Sequence, residues 1–213
     1  MKCDKKTMLL YAVTDRAWCG RQSLYEQVES ALKGGATCVQ LREKELSEAE
    51  FLAEAMEISG LCRSYAVPLF INDNVEVAIK CRADGIHVGQ EDMDVDQVRQ
   101  RVGNDMLIGV SVHSVDEARK AVQNGADCLG AGAVFSTSTK ADVQLLPLET
   151  LRDICAAVDI PVVAIGGIGK NNIAKLARTG ISGVALVSAI FSAADIEGEC
   201  RMLRSLSEEM VTA

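Results

Sequence analysis

The stretch SLYEQVESALKGGATCVQLREK, residues 23–44, contains one complete structural unit of this chain. Leu24, Val28 and Leu32 recur at helical spacing, which predicts an amphipathic helix. The two glycines that follow end this helix, because glycine readily adopts the left-handed backbone conformation found after a helix. The apolar and β-prone run that comes next predicts a buried strand, and this strand ends in the polar residues QLREK. The order is therefore helix, turn, strand and polar strand end.

Short apolar runs of this kind recur eight times, with amphipathic segments between them. The runs are LLYAVTD, ATCVQLRE, PLFIND, GIHVGQ, LIGVSVH, DCLGAGAVF, PVVAIGG and GVALVSAIF. Continuously apolar strands are typical of a parallel sheet buried on both faces. Eight βα units close into a barrel, so the sequence predicts an α/β fold, a single-domain (β/α)₈ TIM barrel over residues 1–213. A doubly wound open sheet is the rival architecture, but no G-x-G-x-x-G follows the first run.

The composition narrows the classes of partner. The formal net charge is −8, and an acidic surface argues against binding to nucleic acid or to an anionic membrane. The eight cysteines form no C-x-x-C pair, and several lie in apolar runs, so we expect reduced thiols packed as small hydrophobes. Reduced thiols indicate a cytoplasmic protein. The expected partners are small molecules, and a homo-oligomer is left open.

In a (β/α)₈ barrel the working residues lie at the carboxyl ends of the strands. Polar residues are dense at these ends, which predicts a site at one mouth of an otherwise aliphatic barrel. Taken strand by strand, they are Thr14, Asp15 and Arg16; Gln40, Arg42 and Lys44; Asn72 and Asp73; His87, Gln90, Glu91 and Asp92; Ser111 and His113; Ser136, Thr137, Ser138, Thr139 and Lys140; Gly166 and Gly167; Val187 and Ser188.

Two carboxylates, Asp73 and Asp92, follow the third and fourth strands. Neighbouring strands lie about 4.8 Å apart, so both acids belong to the same part of the rim. Unpaired, they would repel each other, and Mg²⁺ typically binds one or two carboxylates together with water and phosphate oxygens. The pair therefore predicts a magnesium site. In the alternative interpretation, Asp73 caps the next helix and Asp92 is an ordinary surface acid.

Cations follow the second and sixth strands, namely Arg42, Lys44 and Lys140. A guanidinium and an ammonium beside a bound metal fit a multiply charged phosphate better than a single carboxylate. The alternative is an ordinary salt bridge from Arg42 to Glu43 or Asp15, which would contribute little. These cations favour a pyrophosphate site.

A second anion site is indicated by the glycines after the seventh strand, Gly166 and Gly167, and by the sequence LVSA at the eighth. Barrels often bind phosphate with the loops after these two strands. Glycine has no Cβ, so its backbone N–H can approach an anion closely, although left-handed turns also require glycine. Two anion sites at one rim suit a reaction that joins two substrates, with metal-bound pyrophosphate as the leaving group.

Several motifs together resemble the thiamine-phosphate synthase family over nearly the whole chain. They are YAVTDR, CVQLREK, LFINDNVEVA, ADGIHVGQEDM, IGVSVHS, ADCLGAGAVFSTSTKAD, VVAIGGI and GVALVSAIF. The resemblance implies a transferase of thiamine biosynthesis that uses Mg²⁺. Such an enzyme joins 4-amino-5-hydroxymethyl-2-methylpyrimidine diphosphate to 4-methyl-5-hydroxyethylthiazole phosphate and releases pyrophosphate by a dissociative substitution.

The resemblance also implies roles for individual residues. It implies contacts to the pyrimidine diphosphate from Gln40, Arg42, Lys44, Asn72, Ser111 and Lys140, of which Arg42, Lys44, Ser111 and Lys140 are expected to be catalytic. It implies Mg²⁺ at Asp73 and Asp92, and thiazole phosphate contacts from Thr137, Thr139, Gly167, Val187 and Ser188. The loop FSTSTK departs from the family pattern F-P-T-P-T-K, because Ser136 and Ser138 replace both prolines. The mechanism needs no general base, so His87 and His113 are interpreted as structural.

Three other functions use the same fold. A thiazole tautomerase-like isomerase would need less of the pyrophosphate site, and the motifs QLREK, ND and QED argue against it. A Schiff-base aldolase would use Lys140 as nucleophile, but this lysine lies among hydroxyls and beside Asp142 rather than in an apolar pocket. A non-catalytic phosphate-ligand-binding barrel would have less need of two metal carboxylates.

Overall fold

A computed structural model of the chain describes residues 3–20, 22–137 and 145–213. Within these residues, eight parallel strands alternate with helices and close into a barrel in chain order, which confirms the predicted fold. The strands are β1 (Leu10–Val13), β2 (Cys38–Leu41), β3 (Leu69–Asn72), β4 (Gly85–Val88), β5 (Leu107–Val112), β6 (Cys128–Gly132), β7 (Val162–Ile165) and β8 (Gly183–Leu186).

The helices lie outside the barrel and begin mostly at polar caps. They are α1 (Leu24–Lys33), α2 (Glu48–Ser64), α3 (Val75–Lys80), α4 (Val95–Val102), α5 (Val115–Gln123), α6 (Leu148–Ala157), α7 (Ser188–Phe191) and α8 (Ile196–Thr212), with 3₁₀ turns at Arg16–Trp18 and Ile173–Leu176. Ser47 and Glu50 form a capping box at the start of α2, where the side chain of each residue bonds the backbone N–H of the other. Local sequence therefore determines where this helix begins.

The core has two parts. Apolar side chains such as Leu41, Ile71 and Ile86 pack between the strands and the helices. A smaller cluster fills the barrel interior, where the rings of Tyr11 and Phe70 are 5.6 Å apart between centroids. Burying one large apolar side chain contributes about 1.5–3 kcal/mol to the stability of the fold. Because such side chains fill the interior, the barrel is a packed core rather than a pore.

The segment NNIAKLARTG, residues 171–180, lies between the seventh and eighth apolar runs, and its amphipathic spacing predicts an α-helix that the structure does not contain. The segment contains only the 3₁₀ turn Ile173–Leu176. Asn172 lies just before this turn and donates from Nδ2 to the carbonyl of Gly167, while its Oδ1 accepts from the N–H of Gly169. These bonds hold the chain in a loop ahead of the 3₁₀ turn.

The segment CRADG, residues 81–85, joins α3 to β4, and its glycine predicts a left-handed glycine at the end of this helix. Arg82, not glycine, has the left-handed backbone conformation there, with φ of 53°. Gly85 instead begins β4, and a Cβ at this position would lie 2.4 Å from Cε1 of Phe70. This glycine is needed for packing inside the barrel.

The eight cysteines carry free thiols, as expected. Burial raises the pKa of Cys62 and of Cys200 to about 12, which keeps both thiols protonated near neutral pH. In the part of the chain that the structure describes, no helix has the length and apolar character required to cross a bilayer.

Candidate active site

The parallel strands bring their carboxyl ends to one rim, and β2 and β3 supply a close charge pair there. Lys44 follows β2, and its Nζ lies 2.5 Å from Oδ2 of Asp73, which follows β3. Asp73 has a left-handed backbone with φ of 60°, a conformation that few residues other than glycine adopt but that Asp and Asn tolerate. Its N–H donates to the carbonyl of His87 at 2.8 Å, so β4 holds this carboxylate in place.

The second predicted metal ligand, Asp92, lies beside the first. Its Oδ2 accepts the N–H of Gly89 at 2.7 Å, which folds the loop after β4 back over the rim. Burial raises the pKa of the Asp92 carboxyl, and the Asp73 carboxylate, within hydrogen-bond reach, raises it further, while Lys44 acts in the opposite direction. Two carboxylates with one neighbouring cation form an electrostatically unfavourable cluster that additional positive charge would relieve.

This arrangement fits Mg²⁺. The described residues contain no group of three or more His, Cys, Asp or Glu side chains able to hold a metal. The donors at the rim are two carboxylates, Asp73 and Asp92, which is the number that Mg²⁺ typically takes from a protein when phosphate oxygens and water supply the remainder.

Arg42 lies at the same rim, and its guanidinium is held less tightly than the ammonium of Lys44. Its backbone N–H donates to Oγ1 of Thr14 at 3.0 Å, and its Nη1 lies 3.7 Å from Oδ2 of Asp15. That distance is too long for a hydrogen bond. Glu43, the other predicted salt-bridge partner of Arg42, instead accepts hydrogen bonds from two nitrogens of Arg16 at 3.1 and 2.9 Å. The salt bridge to Asp15 is thus present but loose, and the one to Glu43 is replaced by Arg16.

Gln40 points into the barrel. It is buried, and its Nε2 donates to the hydroxyl of Tyr11 at 3.0 Å. Together these residues form the floor beneath the charged rim. Tyr11 lies inside β1 rather than at its end, so the pattern of polar strand ends does not reveal it.

Ser111 in β5 is paired with His87 in β4. Oγ of Ser111 lies 3.0 Å from Nε2 of His87, and the carbonyl of Ser111 accepts from Nε2 of Gln90 at 2.7 Å. Burial lowers the pKa of His87 to about 4, against a smaller opposite effect of the Asp92 charge, so the imidazole is neutral at pH 7. His113, by contrast, is exposed, and its Nδ1 lies 3.2 Å from Oε2 of Glu117.

The glycines after β7 bring two loops together. Gly166 and Gly167 have φ values of 99° and 62°. A Cβ on Gly167 would lie 2.3 Å from the carbonyl oxygen of Ser136, and one on Gly166 would lie 2.3 Å from Cβ of Ala133. Both glycines are therefore required by backbone conformation and by packing against the loop that leads to Thr137. Their predicted contact with an anion stays a prediction.

The loop after β8 leads into the single turn of α7. Val187 precedes this turn and Ser188 begins it, and the Val187 carbonyl accepts the N–H of Phe191 at 3.0 Å. A Cβ on Gly169 would lie 3.9 Å from Cβ of Ala189, so the loops after β7 and β8 are neighbours. The contact of Val187 and Ser188 with a phosphate stays a prediction.

The structure thus brings together Lys44, Asp73 and Asp92, and it pairs Gln40 with Tyr11 and Ser111 with His87. Asn72 ends β3 directly before Asp73. A cavity of about 450 Å³ is lined by Lys44, Asn72 and Asp73 and extends towards α2 and α3. Of the remaining predicted residues, Thr139 and Lys140 lie outside the described residues, as does Ser138.

A (β/α)₈ barrel with paired acids, cations and glycine loops at one rim defines a class of protein, that of barrels suited to phosphorylated small molecules. Comparisons with known proteins narrow this class. A family model described as thiamine monophosphate synthase matches residues 10–190. The chain therefore belongs to this family, and the resemblance of its motifs is confirmed. The match also supports a synthase rather than an isomerase or a non-catalytic barrel.

Individual relatives agree with the family match. The chain is 45% identical over 194 residues to thiamine-phosphate synthase of Clostridium acetobutylicum, which covers 91% of this chain and 92% of the relative. It is 47% identical over 194 residues to the enzyme of the same name from Ruminiclostridium cellulolyticum, with the same coverage. The solved structure of thiamine phosphate pyrophosphorylase from Pyrococcus furiosus superimposes with a TM-score of 0.90 at 39% identity, over 97% of this chain and 98% of that one.

Proposed function

We propose that this chain is a cytoplasmic, Mg²⁺-dependent transferase that joins 4-amino-5-hydroxymethyl-2-methylpyrimidine diphosphate to 4-methyl-5-hydroxyethylthiazole phosphate. The products are thiamine phosphate and pyrophosphate. The observation that carries the proposal is the cluster of Lys44, Asp73 and Asp92 at the rim of a barrel whose family is known. Paired acids beside cations suit a metal-bound diphosphate better than a singly charged ligand.

The diphosphate half of the site comes from β2 to β5. Arg42 offers a planar fork of N–H donors to phosphate oxygens, and Lys44 offers a compact positive charge. Ser111 donates its hydroxyl hydrogen to the same group, and Asn72 and Gln40 orient the pyrimidine end from the rim and the floor. When bound at Asp73 and Asp92, Mg²⁺ supplies positive charge that stabilises the departing pyrophosphate.

The reaction follows a dissociative substitution. The bond between the pyrimidine methylene carbon and the diphosphate oxygen breaks first, and both bonding electrons leave with pyrophosphate. The aminopyrimidine ring delocalises the resulting cation, and the thiazole nitrogen then donates its lone pair to the methylene carbon. No proton has to be removed, so the chain needs no general base.

The thiazole phosphate half comes from β6 to β8. Thr137, Thr139, Gly167, Val187 and Ser188 bind the phosphate through hydroxyl and backbone N–H groups. The tight packing of the loop after β7 against the loop after β6 supports this role, because it makes the backbone donors rigid. Holding the nitrogen close to the methylene carbon supplies up to about 7–11 kcal/mol of the rate acceleration at the most favourable limit.

The deciding experiment is an assay of pyrophosphate release by the purified full chain. We expect release only when both substrates and Mg²⁺ are present, complete loss with EDTA, and recovery when Mg²⁺ is added in excess. Thiazole isomer turnover without pyrophosphate release would instead support an isomerase. Undiminished release in EDTA would contradict the metal assignment, and binding of both substrates without turnover would support a non-catalytic barrel.

A further inference from the structure

His87 is a buried polar residue for which the proposed reaction has no direct use. It lies in β4, with its ring 6.4 Å from that of Tyr11 between centroids. Its Nε2 lies 3.0 Å from Oγ of Ser111, but its Nδ1 is buried and has no hydrogen-bond partner among the described residues. An unpaired buried polar atom is costly, so the imidazole is expected to have a role that offsets this cost.

Two glycines on the next two strands make room for the ring. Gly109 in β5 is the register partner of His87, and a Cβ there would lie 2.5 Å from Nδ1. Gly130 in β6 is the register partner of Ser111, and a Cβ there would lie 3.2 Å from Cε1 of the imidazole. The ring is thus enclosed by backbone, which fixes its orientation towards Ser111.

The tautomer of the imidazole decides what Ser111 can do. If Nδ1 carried the proton, Nε2 would accept the hydroxyl hydrogen of Ser111, and this hydrogen could not reach an anion. If Nε2 carries the proton, it donates to Oγ, and the hydroxyl hydrogen stays available to a substrate oxygen. A chain that runs from Nε2–H to Oγ–H to an anion also polarises each of its bonds.

The backbone of His87 serves the neighbouring part of the site. Its carbonyl accepts the N–H of Asp73 at 2.8 Å. His87 therefore holds Asp73, which follows β3, through its main chain, and it holds Ser111 of β5 through its side chain. A change in the position of β4 would move both groups together.

We infer that His87 is a positioning residue: in its Nε2–H form it donates to Oγ of Ser111 and directs the hydroxyl hydrogen of Ser111 at the pyrimidine diphosphate. This inference rests on the proposed function, because it takes Ser111 as a contact of that substrate. It assigns a role in substrate binding to a histidine for which the sequence by itself indicates a structural one. It also explains why glycines occupy the register positions beside both residues.

Nitrogen NMR on the unchanged protein tests the tautomer. The chain has two histidines, and the variant H87Q identifies the signal of His87 by its loss. With inorganic pyrophosphate and Mg²⁺ added at pH 7, we expect a protonated Nε2 and a bare Nδ1. A protonated Nδ1 beside a bare Nε2 under these conditions would overturn the inference.

Steady-state kinetics test the coupling to Ser111. We expect H87L to lower kcat/KM for the pyrimidine diphosphate about 10-fold, the size of one hydrogen bond, and to leave KM for the thiazole phosphate unchanged. The double variant H87L/S111A should be no slower than S111A, because the two residues act as one unit. H87Q, which keeps an N–H donor near the position of Nε2, should recover most of the activity.

Different failures point to different errors. If S111A lowers the activity and H87L multiplies that loss, the role of His87 is wrong. The same holds if H87L impairs the kinetics of both substrates equally. In both cases the proposed function stands. If S111A leaves the kinetics of the diphosphate unchanged, the assignment of Ser111 fails and the inference fails with it. If the unchanged protein releases no pyrophosphate, the proposed function itself is wrong. If H87L does not fold, the NMR measurement decides.

Discussion

The two halves of the barrel rim are built by different means. The acidic half, which consists of Arg42, Lys44, Asp73, Asp92 and Ser111, uses charged and hydroxyl side chains that meet across neighbouring strands. The glycine half, which consists of Thr137, Gly166, Gly167, Val187 and Ser188, relies on backbone that is packed closely between the loops after β6, β7 and β8. A site of side chains can lose its chemistry while its fold survives. A site of backbone changes only when the packing around it changes.

The largest effect is expected from D73N in the acidic half. Asn keeps the size of Asp and tolerates the left-handed backbone at this position, so the melting temperature should barely change. Removing one carboxylate weakens the metal site and leaves Lys44 without its partner. We expect pyrophosphate release to fall about 100-fold or more, whereas thiazole phosphate binding, measured by calorimetry, is retained.

Asp153, an exposed acid in α6, provides the matched control. The variant D153N removes the same charge from this exposed helical position and should leave turnover unchanged. Turnover of D73N within two-fold of that of the unchanged protein would show that Asp73 is not a metal ligand.

The next effect is a loss of stability in acid that comes from the buried imidazole of His87, which contacts Ser111 of the acidic half. Its pKa is about 4 in the folded chain and about 6.5 in an unfolded one, so the unfolded chain takes up a proton first as pH falls. The stability from the neutral ring is therefore complete above pH 6.5 and is lost towards pH 4. At pH 5 the loss amounts to about 2 kcal/mol in the free energy of unfolding.

Other groups also titrate in this range, so the measurement is a difference between two proteins. Urea unfolding at pH 7 and at pH 5 should show a loss about 2 kcal/mol smaller in H87Q than in the unchanged protein. Equal losses in both proteins would mean that the pKa of His87 is not lowered in the folded chain.

A smaller effect is expected from G167A in the glycine half. The alanine would have to adopt φ of 62°, and its Cβ would lie 2.3 Å from the carbonyl of Ser136, so the loops after β6 and β7 must separate. We expect KM for the thiazole phosphate to rise about 10-fold and KM for the pyrimidine diphosphate to change little. Steady-state kinetics with each substrate varied in turn measure both values.

G169A is the matched control in the same loop. Its Cβ would have nothing closer than Cβ of Ala189 at 3.9 Å, so both KM values should stay unchanged. If G167A raised both KM values equally, the two halves would not be separate sites.

The smallest effect is expected from salt. Ionic strength screens exposed charges, and the cations of the acidic half, Arg42 and Lys44, are partly exposed. Raising sodium chloride from about 50 to about 200 mM should increase KM for the pyrimidine diphosphate a few-fold and KM for the thiazole phosphate less. An equal increase in the two KM values would indicate that charge contributes similarly to substrate binding at both halves.

The sequence predicted the acidic half better than the contacts beneath it. Asp73 and Asp92 were recognised because parallel strands bring their carboxyl ends to one rim, and this follows from the order of the strands alone. The bonds from Gln40 to Tyr11 and between Ser111 and His87 were missed. They join residues more than 20 positions apart, and which interior side chains meet depends on strand register.

By itself, the sequence determined the repeat of strand and helix, the polar strand ends and caps such as that of Ser47, because these features depend on side chains a few positions apart. Only the tertiary structure decided why Gly85, Gly109 and Gly167 are glycines, since each faces an atom that is distant along the chain. It also decided that the segment around Ile173 is a loop with one turn. The physical reason is the same in each case: local periodicity fixes the elements, but closure of the barrel fixes the distances between them.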